Sequence, residues 1–165
     1  MNDSNDLDKA VATAARFIGY QPRSAAEVRK RLERDRFNTE TITAVLELFT
    51  QHGHINELDY TLMFIADKMR VSKYGKARII HGLRQKGVPP SVIDEAYIAI
   101  HNAPQKHIEA DSLEDAELEN ASQLLAQKYR NENLAEPVTL KKAADFLARR
   151  GYSRDVISRC IKNSL

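Results

Sequence analysis

A chain of 165 residues with 42% hydrophobic content can bury one ordinary core or two small ones, which excludes a disordered polypeptide. Six Gly and five Pro are too few for an all-β protein, which turns roughly every ten residues. A net charge of +2 predicts no polyanion binding by itself, so only the distribution of charge can.

The one cysteine, Cys160, excludes an intrachain disulfide and fits a reducing compartment. No apolar run approaches the ~20 residues of a membrane helix, and the acidic, polar start MNDSNDLDK lacks the pattern of an export signal. The expectation is a cytoplasmic protein with no membrane association.

Residues 1–7 read as a flexible polar lead-in. From Asp8, LDKAVATAARFIGY places Val11, Ala14 and Ile18 on one helical face, and Gln21-Pro22 stops it. Ser24 and Glu27 have the spacing of a capping box ahead of a second helix that buries Val28 and Leu32. Asn38 or Thr39 caps a third, with Ile42, Val45, Leu46 and Phe49 at i, i+3, i+4 and i+7, and His52-Gly53 ends it.

A next helix starts at Glu57 or Leu58 and becomes basic at its C-terminal end, where cations suit the helix dipole. Tyr74-Gly75 breaks it. A further helix runs through Ile79, Ile80 and Leu83, with Gly87 as its C′ residue, and Pro90 opens a helix that buries Ile93, Ala96, Tyr97 and Ile100. Residues 104–111 read as a linker. From Glu109 to Glu119 there are six acids and no bases. A helix through Leu118, Ala121 and Leu125 follows, then one through Leu140, Ala143, Ala144 and Leu147 with Thr139 as N-cap, and a last one capped by Ser153. No segment alternates long enough to argue a strand, so the fold class is all-α.

Leu32-Glu-Arg-Asp-Arg-Phe37, Leu83-Arg-Gln-Lys-Gly-Val88 and Leu147-Ala-Arg-Arg-Gly-Tyr152 align without gaps, at spacings of 51 and 64 residues. The register continues through Ile42, Ile93 and Ile157, then Val45, Ala96 and Cys160. These are three copies of a three-helix unit, at 8–53, 54–103 and 112–165, in an elongated, curved helical array. Cys160 falls where the other copies bury Val45 and Ala96, so it reads as a small core residue and not a reactive thiol. Arg36 stands where the other copies have glycine, which predicts a somewhat different turn there.

Constellations for chemistry are scarce. His52 and His54, with Glu57 nearby, lie in a short inter-helix loop without a Cys partner and read as a surface turn, not a zinc site. Gly75-Lys76 lacks the upstream glycine of a phosphate-binding loop. No enzymatic activity, cofactor or metal is expected.

Charge gives the stronger signal. Residues 68–86 hold seven bases and no acid: Lys68, Arg70, Lys73, Lys76, Arg78, Arg84 and Lys86. Residues 23–36 carry six bases against three acids, and Lys141, Lys142, Arg149, Arg150, Arg154 and Arg159 crowd the last unit. Unpaired cations repel one another, so the central patch reads as a binding face whose two halves converge across Gly75, with Tyr74 as an aromatic contact or a turn-packing residue. Composition leaves two readings open. Either the units grip nucleic-acid phosphates directly, or they form an adaptor laid along a protein surface.

The ordered set His52-Gly53-His54-Ile55, Tyr60, Phe64, Tyr74-Gly-Lys-Ala-Arg-Ile79 and Leu83-Arg-Gln-Lys-Gly87 resembles the RecX family of RecA regulators. Ser24-x-x-Glu27-Val-Arg-Lys-Arg-Leu32 and Phe146-Leu-x-x-Arg-Gly-Tyr152 extend the likeness to roughly residues 9–165. Two departures are Asn56-Glu57, where the family usually has an Asp pair, and Arg130, where glycine is common. The resemblance implies three tandem three-helix repeats, with no cofactor or catalytic residue. It further implies a monomer that binds RecA and RecA–single-stranded-DNA filaments in the filament groove, spanning neighbouring protomers. Filament extension, ATP hydrolysis, strand exchange and co-protease activity would fall, modulating recombination, DNA repair and the SOS response. Weak direct DNA binding is a second interaction the patch would support. The residues expected to meet the filament or its DNA are Lys68, Arg70, Lys73, Tyr74, Lys76, Arg78, Arg84 and Lys86.

Overall fold

A computed structural model describes residues 3–164. Ten helices follow in order and no strand occurs among the described residues: α1 (Asp3–Tyr20), α2 (Ala25–Arg34), α3 (Thr39–Gln51), α4 (Glu57–Arg70), α5 (Lys76–Gln85), α6 (Pro90–Asn102), α7 (Pro104–His107), α8 (Leu113–Lys128), α9 (Pro137–Arg149) and α10 (Arg154–Ser164). Helices α1–α3, α4–α6 and α8–α10 form three repeats, each around its own apolar core. The single turn α7 lies within the predicted linker.

The aligned positions are the cores. Leu32, Leu83 and Leu147 are fully buried, and so are Val45, Ala96 and Cys160. Ala10 and Thr61, each 22 residues ahead of its repeat's leucine, are also fully buried, as is Ala121 on α8. Small residues there let the first helix of each repeat approach the other two closely. Ile55 packs into the first core, and Leu113 and Ala116 at the start of α8 pack against the second.

The local signals explain most helix ends. Ser24 and Glu27 form a reciprocal capping box on α2, Asn38 caps α3, and Asn56 accepts from two first-turn amides of α4. Pro90 occupies the first position of α6.

Three expectations need correction. Helix α1 begins at Asp3, so most of the supposed lead-in is helical; residues 1 and 2 lie outside the described residues. Leu7 packs against the first core and Lys9 pairs with Asp6 at 3.7 Å, which extends the helix N-terminally. Thr139 is not an N-cap but lies buried inside α9, which starts at Pro137. Lys142 stands where Glu27 closes the box in the first repeat, so no side chain returns a bond to a Thr139 cap, and proline sets the start instead.

Arg36 is the third. Its turn is the same as the others: φ is +66° at Arg36, +76° at Gly87 and +89° at Gly151. In each case the next amide reaches back to the leucine carbonyl, from Phe37 at 3.2 Å, Val88 at 3.1 Å and Tyr152 at 3.3 Å. All three second helices therefore end in a Schellman motif, and the first repeat tolerates the left-handed cost of a non-glycine residue.

Candidate partner-binding groove

The second helices α2, α5 and α9 meet end to end, and these joints shape the groove. At the first joint Ser24 Oγ donates to the Lys86 carbonyl at 2.7 Å. At the second, Gly75 N–H donates to the Arg150 carbonyl at 2.9 Å and Ala77 N–H to that of Gly151 at 3.1 Å. Ser24 and Gly75 are equivalent positions, as are Lys86 and Arg150. The carbonyl end of one helix thus meets the amide end of the one before it in sequence, an arrangement both dipoles favour.

A carboxylate from the next repeat completes each joint. Glu57 Oε1 accepts from the first amide of α2 at Ala25, and Glu117 Oε1 accepts from the first amide of α5 at Lys76, at 2.6 Å. Each carboxylate stands four residues before a fully buried small residue, Thr61 and Ala121. Burial raises the pKa of both above the ordinary carboxylate range, although the amides they accept from pull the other way. Glu27 shifts oppositely. Burial alone would raise it, but Lys86 Nζ at 2.7 Å, the Ser24 amide and Tyr60 Oη hold it low.

All three repeats border one groove of about 1420 Å³. The first repeat contributes Arg23, Arg29 and Lys30, the second Lys68, Arg78 and Lys86, and the third Arg149. Aromatic faces back several of these cations. Arg23 lies 4.5 Å from the Phe17 ring centre, Lys68 5.4 Å from Phe64, and Arg78 4.4 Å from Tyr74. Arg29 and Lys30 are exposed on α2 and form no ion pair among the described residues. A groove of this kind attracts an extended anionic surface and gives it several charge-assisted contacts.

The eight residues singled out from the sequence do not share one face. Lys68, Tyr74, Arg78 and Lys86 line the groove. Arg70 and Lys73 instead line a smaller groove of about 500 Å³, together with Asp67, Glu109 and Glu119. Lys73 Nζ there donates to Asn120 and Gln123. Lys76 is drawn over the Tyr97 ring, 4.5 Å from its centre, and Arg84 is exposed outside both grooves. Convergence across Gly75 is partial: Lys68 joins Arg78 and Lys86, but the 71–75 turn, with Lys73 at φ +49°, carries Lys73 toward α8 before α5 begins.

Several of these cations also hold the repeats together. Arg78 Nη1 donates to the Arg149 carbonyl at 3.0 Å, and Arg150 Nη1 to that of Ser72 at 2.8 Å. Sequence reading singled out neither Arg29 and Lys30 nor Arg23 and Arg149 as partner contacts, although it marked their basic clusters. Periodicity within one helix does not report what a helix 50 residues away will face.

Cys160 is fully buried, 3.5 Å from Ser122 Oγ, and burial raises its thiol pKa. His52 and His54 stack with ring centres 6.3 Å apart, and no group of three metal-ligating side chains gathers among the described residues. No helix among them is long and apolar enough to cross a membrane.

Comparison with known proteins agrees with this architecture. The RecX family models for the first, second and third three-helix domains match residues 10–47, 56–96 and 115–161. The chain belongs to the RecX family. It is 35% identical over 105 residues to a regulatory protein RecX of Prosthecochloris aestuarii, covering 64% of this chain and 69% of that one. With the RecX of Trichlorobacter lovleyi the identity is 28% over 159 residues, covering 95% and 96%. The crystal structure of RecX from Lactobacillus salivarius superposes with a TM-score of 0.80 at 21% identity, covering 97% of each chain, and so shares the fold. RecX is a family of regulatory proteins, which sets the class of activity.

Proposed function

We propose that this RecX-family protein binds RecA and RecA–single-stranded-DNA filaments through the basic groove. By doing so it inhibits filament extension, ATP hydrolysis, strand exchange and co-protease activity, and thereby modulates recombination and repair. The observation that carries this reading is the groove itself. It sets cations from all three repeats along one continuous surface, which suits a partner longer than any single repeat.

The experiment compares binding to naked single-stranded DNA, free RecA and the assembled filament, alongside ATP hydrolysis by the filament. Preference for the filament with slowed hydrolysis is expected. No effect on hydrolysis at stoichiometric protein overturns the proposal.

Direct nucleic-acid binding is a second reading, favoured by Phe64 and Tyr74 beside groove cations. It requires affinity for naked DNA that matches the filament's and falls steeply with salt.

A further inference from the structure

The two joints use the same parts, and the same positions exist a third time, divided between the ends of the array. One half is the start of α9, where Thr139 is equivalent to Ser24 and Gly75. The other half belongs to the first repeat. Arg36 is equivalent to Gly87 and Gly151, and Asp6 to Glu57, each four residues ahead of the buried Ala10 or Thr61. A second copy of the chain could present Arg36 and Asp6 to α9 and continue the array head to tail.

Both halves depart from the working joints in ways that prevent this. At the working joints the turn residue must lack a side chain. A Cβ on Gly87 would stand 2.4 Å from Ala26 Cβ, and one on Gly151 would stand 2.4 Å from the Arg78 amide. Arg36 carries that Cβ in the same left-handed turn. On the other half, α2 and α5 begin one residue after the equivalent position, which leaves the amides of Ala25 and Lys76 free for the carboxylate. Helix α9 begins two residues before it. The Leu140 amide, equivalent to those of Ala25 and Lys76, is therefore already taken by the Glu136 carbonyl at 2.9 Å, and residues 137–139 are helical where their counterparts 22–24 and 73–75 are not.

Charge does not close this junction. Lys142 replaces Glu27 and Asp35 replaces Lys86, so the ion pair would survive with its signs exchanged. The obstruction is steric and lies in the hydrogen bonding.

We propose that Arg36 and the Pro137–Thr139 turn are end stops that keep this array at three repeats by blocking head-to-tail addition of a second copy. Repeat arrays need such terminal units because an open stacking surface invites further stacking. The consequence is a groove of fixed length.

Sedimentation equilibrium over a range of protein concentrations tests this. The first joint is transplanted to the ends in one variant, Asp35→Lys/Arg36→Gly/Thr139→Ser/Lys142→Glu. Its weight-average mass should climb to twofold and beyond the single-chain value as concentration rises, while the unaltered protein stays at one chain. A second variant, Arg36→Gly/Pro137→Gly/Val138→Gly, removes the stops without adding the capping box, should the transplanted residues disturb folding. Circular dichroism confirms helicity in both. Helical variants that keep the mass of one chain overturn the proposal, as does head-to-tail association of the unaltered protein.

Discussion

Gly75 lies so close to Gly151 that a Cβ on Gly75 would stand 2.5 Å from the Gly151 carbonyl carbon. No side chain can yield there, because the obstructing atoms are backbone. Gly75→Ala should therefore loosen the joint between the second and third repeats at a cost of about 1–3 kcal/mol, the range for overpacked sites. Gly82→Ala is the control, since its Cβ meets only the tip of the Phe64 ring at 3.3 Å. Urea denaturation should separate the two variants clearly. Equal midpoints would show that the joint accommodates the methyl.

The groove cations divide into those that hold the fold and those free to meet a partner. Arg29→Glu with Lys30→Glu should abolish inhibition of filament ATP hydrolysis while shifting stability by no more than about 0.5 kcal/mol, as for exposed positions away from structural features. Retained inhibition would remove the α2 face from the site.

Lys86 has a double role. Lys86→Met leaves Glu27 beside Glu57 without its strongest partner, so a loss of about 1–2 kcal/mol is expected, less than the roughly 1.5–3 of a buried hydrogen bond to a charged group because solvent screens the partly exposed Lys86. Glu27 is held below its ordinary pKa, so its contribution is present above the unfolded carboxylate pKa and is lost as pH falls through the folded value. The stability difference between Lys86→Met and the parent should accordingly shrink on acidification. A difference independent of pH would exclude the ion pair as its cause.

Glu117 has the opposite sign. Its raised folded pKa means that the protonated form fits the joint better, so its contribution to stability is greatest below the unfolded carboxylate pKa and is lost as pH rises through the folded value. Glu117→Gln keeps an acceptor for the Lys76 amide and removes the charge. Denaturation midpoints of the variant should rise relative to the parent between pH 5 and 7, a window above the roughly 4.3 of an unperturbed Glu. A variant that loses stability across that range would show the carboxylate charge itself to be favourable.

Cys160 should react with a thiol reagent only on unfolding, because it is fully buried and its thiolate is disfavoured. Cys160→Ala should preserve inhibition, with Ala96 as the precedent at the equivalent site. Fast modification of the native protein would contradict the core assignment.

Much of this architecture was legible in the chain. The fully buried trios Leu32/Leu83/Leu147 and Val45/Ala96/Cys160 stand in the sequence as an ungapped alignment, because core positions of repeated units recur with helical spacing. The Ser24–Glu27 box and the Gly87 turn are local and were readable for the same reason. Thr139 misled because the alignment held while Lys142 had replaced the residue that closes the box.

Sequence alone determined nine of the ten helices described, several of their caps, the three cores and the presence of a basic surplus, since each depends on residues within a few turns of one another. Tertiary structure decided which cations face one another. Arg29 and Lys30 join Arg78 and Arg149 along one groove, whereas Arg70 and Lys73, neighbours of Arg78 in sequence, turn away. The end-to-end joints set that arrangement, and they rest on the Ser24 hydroxyl, the Glu57 and Glu117 carboxylates and the Gly75 and Ala77 amides meeting groups more than 30 residues away in the chain.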